Sequence, residues 1–255
     1  ITRGFINAGL KPLLSADNMK AAGDTHKLNY PDVPFEAGDL SDPNIKNKIG
    51  SKIKDLDILV GGPPCQGFSI FGKRRFINTK SYDPSNDKRN DLVDVFLDYA
   101  EILKPKWIMI ENVGGLPSLK YSENQLYIER IEMRLDALGY KNKKWKIINC
   151  ASYGAPQLRK RFILIANNTP EEHIVAWPKP KFYKNPKDWQ KPFRVINEVL
   201  LDLDRESAYA ELKNHSPMNH SKSTIERFSY IKEGSKLEIS DLPEYLRKSR
   251  SGKEI

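Results

Sequence analysis

Short apolar runs alternate along this chain with longer stretches of helical spacing, and few folds accommodate that order. Leu13–Ala16 reads as a strand and Asn18–Asn29 as a helix. Asp57–Val60 is a further strand that stops at Gly61-Gly62-Pro63-Pro64, where neither residue type extends a sheet. Asn90–Lys104 sets Leu92, Val95, Phe96, Tyr99, Ile102 and Leu103 at helical spacing, and Pro105 ends it. Trp107–Ile110 is a buried strand; a helix through Ile128, Ile131, Leu135 and Leu138 closes at Gly139, and Trp145–Asn149 and Arg161–Ala166 are two more strands. Strand and helix in alternation define an α/β chain with a doubly wound, mostly parallel sheet.

In such sheets ligands bind beyond the carboxyl ends of the strands, so the residues just after each strand are the ones to inspect. Asp17 follows the first run, Asp39 follows Phe35–Ala37, Cys65 follows the Gly-Gly-Pro-Pro turn and Glu111 follows Trp107–Ile110. A carboxylate after the second strand commonly accepts from ribose hydroxyls. Asp17 could equally cap the helix after it, and Asp39 could be a plain turn residue. Cys65 sits in a rigid, glycine-flanked turn at the ligand edge, where backbone amides and nearby cations favour a thiolate. Cys150 lacks such neighbours and reads as a buried, inert thiol. Glu111 ends an apolar strand, where desolvation would raise its pKa and suit it to donate a proton; a capping or ion-pairing role would look the same. Arg159 and Arg161 alternate onto one face leading into a strand, fit for forked hydrogen bonds or for salt bridges.

Charge narrows the partner. The formal net charge is +9. Residues 1–140 hold 19 basic and 19 acidic side chains, so the surplus lies wholly in residues 141–255, with 23 against 14. Lys73, Arg74, Arg75 and Lys80 form a local basic loop after the Cys65 turn. Both features suit a polyanion, although lysine-rich surfaces also serve solubility alone. The longest apolar runs fall far short of the ~20 residues a membrane span needs, so no membrane partner is expected. Two cysteines make no disulfide framework and point to a reducing, cytoplasmic compartment, nucleoid-associated if the source is bacterial. No metal-ligand set is expected. After Lys179 the sequence turns Pro- and Lys-rich and reads as a linker, followed by helical stretches at Val195–Leu203 and Thr224–Lys232 and no further strand. The expected division is therefore 1–178, a catalytic domain, and 179–255, a linker and the start of a second region.

Three motifs in this order carry a resemblance: Gly-Pro-Pro-Cys-Gln-Gly-Phe-Ser at 62–69, Glu-Asn-Val at 111–113 and Gln-Leu-Arg-Lys-Arg at 157–161. Together they resemble the DNA (cytosine-5) methyltransferase family. Leu14–Asn18, Gly38-Asp39-Leu40 and Arg89–Leu92 resemble its cofactor motifs, Asn149–Pro156 the lead-in to its double-arginine strand, and residues 214–243, more weakly, the approach to its target-recognition domain. The resemblance implies a Rossmann-like S-adenosylmethionine-dependent fold and a mechanism. Cys65 would add to carbon 6 of a flipped cytosine, Glu111 would hold or protonate ring N3, and Arg159 and Arg161 would position the base. S-Adenosylmethionine would lie against Asp17, Asn18, Asp39, Leu40, Pro64 and Leu92. Substrate contacts would come from Gln66, Ser69, Asn112, Lys73, Arg74 and Arg75, with the loop Ser69–Lys80 closing over double-stranded DNA.

The chain also departs from the family pattern. It opens at Ile1-Thr2-Arg3-Gly4-Phe5, which resembles the helix after the family's first strand and Phe-x-Gly-x-Gly loop, and it stops at Ile255, before most of the recognition domain. Residues 1–255 alone are therefore expected to be inactive or nearly so. The expected whole is a monomeric modification enzyme of a restriction system, with a cognate endonuclease encoded nearby. The alternatives are a tRNA-methylating relative and a nucleic-acid-binding module that has lost catalysis; intact Cys65, Glu111, Arg159 and Arg161 weigh against the last.

Overall fold

The structure is a computed structural model that describes residues 1–64, 92–122, 124–169, 176–200, 203, 218–232 and 234–247. It divides into two compact units, Ile1–Val195 and Ile196–Ile255.

The first unit opens with a short helix, α1 (Thr2–Asn7), followed by β1 (Ser15–Asp17), α2 (Lys20–Asn29) and β2 (Phe35–Ala37). β1 and β2 pair in parallel, with Ser15 opposite Phe35 and Asp17 opposite Ala37. The crossover helix packs through buried His26, whose ring lies 5.2 Å from that of Phe35 and whose Nε2 lies 3.2 Å from the Val33 carbonyl. α3 (Pro43–Lys52) starts where it does because Asp42 accepts from the Asn44 N–H at 2.8 Å and Pro43 occupies the first turn, where no N–H is missed.

β3 (Ile58–Gly61) pairs in parallel with β4 (Trp107–Val113), and α4 (Leu92–Leu103) precedes β4. α4 buries Val93, Leu97 and Ala100, one stripe at helical spacing, against Ile108 and Ile110 of β4. After a small hairpin of β5 (Lys120–Ser122) and β6 (Gln125–Leu126), α5 (Tyr127–Ala137) adds Ile128, Ile131 and Leu135 to the same core. The Glu129 carboxylate accepts from the Leu126 N–H at 2.8 Å and fixes its first turn. β7 (Asn142–Asn149) and β8 (Lys160–Asn167) complete a sheet of order β3-β4-β8-β7. β1 to β4 are thus each parallel to a neighbour, and β7 and β8 join antiparallel. Among the described residues the β1-β2 pair is not hydrogen-bonded to the four-stranded sheet.

Three elements differ from the sequence reading. The strand expected to end at Ile110 runs on to Val113, because β8 pairs with it along its whole length, through Val113 opposite Arg161. Cys150 is half-buried, not buried, in a 3-10 turn (Cys150–Tyr153). The Pro- and Lys-rich stretch holds two short parallel strands, β9 (Phe182–Tyr183) and β10 (Lys191–Pro192), and lies within the first compact unit.

The second unit contains α6 (Asn197–Leu200), a single turn among the described residues of the longer helix expected there, and α7 (Lys222–Ser229). Ser221 caps α7 by accepting from the Thr224 N–H. Arg227 then donates to the Leu246 carbonyl at 2.8 Å, over buried Leu242 and Leu246.

Candidate active site at the strand edge

Because β3 and β4 are parallel, their carboxyl ends share one edge of the sheet; because β8 is antiparallel to β4, its amino end reaches the same edge. That topology brings the Gly61–Pro64 turn, Glu111-Asn112-Val113 and Arg161 together. Glu111 lies opposite Ile163, so Arg161, two residues along β8 on the same face, is its diagonal neighbour. Arg161 Nε donates to Glu111 Oε1 at 2.7 Å, with only 17% and 30% of the two side chains exposed. Such a charge-assisted bond fixes the carboxylate's orientation. Its other oxygen faces the turn: a Cβ on Gly62 would lie 3.0 Å from Glu111 Oε2, so only glycine lets the turn and the carboxylate meet without one of them yielding.

Asn112 is buried and holds the same turn. Its Nδ2 donates to the Pro63 carbonyl at 2.8 Å, and its Oδ1 accepts from the Val113 N–H at 2.8 Å. Pro63 is itself buried, whereas Pro64 is exposed at the edge. Arg159 is exposed just before β8, and its carbonyl accepts from the Cys150 N–H at 2.9 Å.

The β1-β2 pair carries the other carboxylates. Asp17, half-buried, accepts from the Met19 N–H at 2.8 Å through Oδ1, a local turn ahead of a helix that begins only at Lys20. The Gly38 N–H donates to the Asp17 carbonyl at 3.2 Å, tying the two strand ends together. Gly38 has φ +146°, and a Cβ there would meet Ile45 Cδ1 at 2.3 Å. Asp39 is exposed and accepts from the Ser41 N–H at 2.9 Å and the Ser41 hydroxyl at 2.7 Å, which together hold its carboxyl below the usual range. Asn18 is exposed beside Asp17, Leu40 is half-buried, and Leu92 is half-buried at the start of α4.

One positioning residue escaped the sequence reading. Tyr99, buried in α4, donates its hydroxyl to the Leu40 carbonyl at 3.1 Å and so ties the Asp39-Leu40 turn to the helix that Leu92 begins. Burial, reinforced by Asp39 and Asp42, pushes its hydroxyl up to about 12. Its helical spacing marked it only as core. Cys65, Gln66, Ser69, Lys73, Arg74 and Arg75 lie outside the described residues. No group of three or more His, Cys, Asp or Glu that could hold a metal occurs among the described residues, and no described helix is long and apolar enough to cross a membrane.

Parallel β1-β2 and β3-β4 pairs, with helices between their strands and carboxylates toward their carboxyl ends, place the chain in the Rossmann-like α/β class. The profile of the C-5 cytosine-specific DNA methylase family matches residues 1–254, and the chain belongs to that family. The chain is 33% identical, over 96% of its length and 60% of the relative's, to the type II methyltransferase M1.HphI of Haemophilus parahaemolyticus. It is 28% identical to M.DdeI of Desulfomicrobium norvegicum, over 91% of this chain and 58% of that protein. It thus spans about three-fifths of the length of these relatives. The S. pombe Dnmt2 methyltransferase structure, at 21% identity and a TM-score of 0.51 over 68% of this chain and 49% of that one, shares the fold.

Proposed function

We propose that this chain is the catalytic part of a DNA cytosine-5 methyltransferase that uses S-adenosylmethionine and serves a restriction-modification system. The observation that carries the reading is the Glu111–Arg161 pair at 2.7 Å, set against the Gly62–Pro63 turn that Asn112 holds and that leads directly into Cys65.

The Cys65 thiolate adds to carbon 6 of a cytosine turned out of the duplex, and the ring's electron density moves to carbon 5. Glu111, oriented by Arg161, holds ring N3 or, entering as the carboxylic acid, protonates it as negative charge develops, while Arg159 and Arg161 fix the base. Carbon 5 would take the methyl group as that group's bond to the cofactor sulfur breaks and leaves a neutral thioether; water would then accept the carbon-5 proton, the N3 proton would return to Glu111, and the restored double bond would expel Cys65 as thiolate. S-Adenosylmethionine supplies the electrophilic methyl. The residues present fit it: Asp17 and Asp39 each engage one carboxylate oxygen locally and offer the other as an acceptor, suited to ribose hydroxyls and an adenine amine, with Asn18, Leu40, Pro64 and Leu92 alongside.

Gln66, Ser69, Lys73, Arg74 and Arg75 are proposed to contact the DNA, and Asn112, expected among these contacts, to serve the substrate from its buried position through the Pro63 carbonyl it bonds; the enzyme is proposed to act as a cytoplasmic monomer with a cognate endonuclease encoded nearby. Trapping tests the mechanism: full-length protein, cofactor and a 5-fluorocytosine duplex should give a covalent adduct that Cys65→Ala abolishes. Adduct surviving Cys65→Ala, or tRNA accepting methyl groups where DNA does not, would overturn the reading.

A further inference from the structure

Residues 177–194 carry Lys179, Lys181, Lys184, Lys187, Lys191 and Arg194 against one acid, Asp188, with Trp177, Phe182, Tyr183, Trp189 and Phe193 interleaved. The segment is pinned. The Lys181 N–H donates to the Ser152 carbonyl at 2.9 Å, and the Phe182 ring lies against Gly154. Phe182 pairs with Lys191 and Tyr183 with Pro192, while the Lys187 N–H donates to Gln190 Oε1 at 2.9 Å and holds the tip.

Three features combine on this surface: lysines without carboxylate partners among the described residues, which some other exposed stretches share, an exposed indole, and a cleft beside it. On α3 and α5 every cation has a carboxylate: Lys46, Lys48 and Lys52 on the first, Arg130 and Arg134 on the second. Among the described residues, none of Lys179, Lys181, Lys184, Lys187 and Lys191 is ion-paired. Trp189 is 77% exposed, a large apolar face that internal packing does not use. Beside it, Lys181, Tyr183, Trp189, Gln190 and Lys191 line a cleft of about 260 Å³. That is below the roughly 300 Å³ at which pockets for whole small ligands begin, so it is an open contact surface and not an enclosed ligand pocket.

We propose that this strand-loop-strand segment is a docking surface for the sugar–phosphate backbone of duplex DNA, its lysines on phosphates and the Trp189 face against a deoxyribose. The inference rests on the DNA-methylating reading above. Charge complementarity selects the polyanion, and the exposed indole between the lysines gives the apolar face of a sugar a surface to pack on where a duplex offers no unpaired base. The placement is also apt. The Cys150–Tyr153 turn that anchors Lys181 also bonds the Arg159 carbonyl, so backbone held here is positioned relative to the base-orienting arginines. Such contacts set register and orientation without reading sequence.

The test is duplex binding by full-length protein as a function of salt. Each lost phosphate contact should lower the slope of log K against log salt by about 0.9, so Lys181→Ala with Lys191→Ala should lower it by about 1.8, while Lys27→Ala on α2 should leave it unchanged. Trp189→Ala should weaken binding several-fold at fixed salt without changing the slope; native protein should show DNA-dependent tryptophan quenching, and this variant should lose part of it. An unchanged slope in the lysine double variant, an equal change with Lys27→Ala, or a slope change seen with tRNA and not duplex DNA would each overturn the proposal. The 5-fluorocytosine adduct on native protein is scored separately. Adduct without a slope change sinks only the docking surface, and a slope change without adduct sinks only the methyl-transfer chemistry.

Discussion

Asn112→Ala is the sharpest probe of how the site is held. It deletes the amide that donates to the Pro63 carbonyl at 2.8 Å and leaves a buried acceptor unsatisfied, a loss of about 1–3 kcal/mol. At about 2–4 °C per kcal/mol for a unit of this size, a central value of about 2 kcal/mol lowers Tm by roughly 4–8 °C. The functional effect should be larger than the thermal one suggests, because the freed turn leads into the nucleophile, and a misplacement of about 1 Å costs on the order of 100-fold in rate. Asn112→Asp separates hydrogen bonding from packing. In the buried site the introduced carboxyl is favoured neutral, so its folded pKa rises above the unfolded value of about 3.9. The protonated form can donate to Pro63 as the amide does. The variant's deficit relative to the native protein is therefore smallest below about pH 4 and grows as pH rises toward the folded pKa. Differential melting curves from pH 4 to pH 8, together with single-turnover trapping on a 5-fluorocytosine duplex, read both effects. An Asn112→Ala protein that traps within twofold of the native rate, or an Asn112→Asp deficit that does not vary with pH, would refute the reasoning.

Glu111→Gln should slow adduct formation about 100-fold or more and lower stability by about 1–3 kcal/mol, since Arg161 loses its carboxylate partner in a mostly enclosed site; trapping kinetics and thermal melts measure the two separately. Tyr99→Phe removes the bond to the Leu40 carbonyl, worth about 1 kcal/mol, and should raise the cofactor KM about fivefold with kcat unchanged. Because that hydroxyl titrates only near 12, native cofactor affinity should show no break from this group up to pH 10, as a calorimetric titration would show. Burial alone would push the Asp98 carboxyl up, but Lys46 at 2.7 Å and Arg134 at 3.1 Å outweigh it and hold it below its ordinary 3.8. Its stabilisation is therefore present above that value and lost as pH falls through the folded pKa. Native Tm should drop more steeply than that of Asp98→Asn between pH 4.5 and pH 3.

The strands were legible where apolar runs meet Gly or Pro, as at Ile58–Gly61, and the helices where one stripe is buried, as in Leu92–Leu103. What local pattern could not show was partnership. Glu-Asn-Val has no strand periodicity of its own, and only the antiparallel register with Arg161–Ile163 draws it into β4. Tyr99 and Leu40 are 59 residues apart, so their bond leaves no trace in either neighbourhood. The lysine-rich stretch reads as a linker because the Lys181–Ser152 bond that pins it is a backbone contact indifferent to side-chain type. Register also explains the order of the motifs. Groups on the parallel strands must follow their strand to reach the ligand edge, as Asp17, Asp39 and the Gly61–Pro64 turn do. Groups on the antiparallel β8 must instead stand at its start, as Arg159 and Arg161 do. An arginine pair at the end of Arg161–Ala166 would lie at the far edge, beside Asn142 and Trp107, where Asn167 now sits. The position of the two arginines at the start of their strand is thus a consequence of strand direction. It is what allows an acid from one strand and a guanidinium from another to meet at 2.7 Å beside the Gly62 turn.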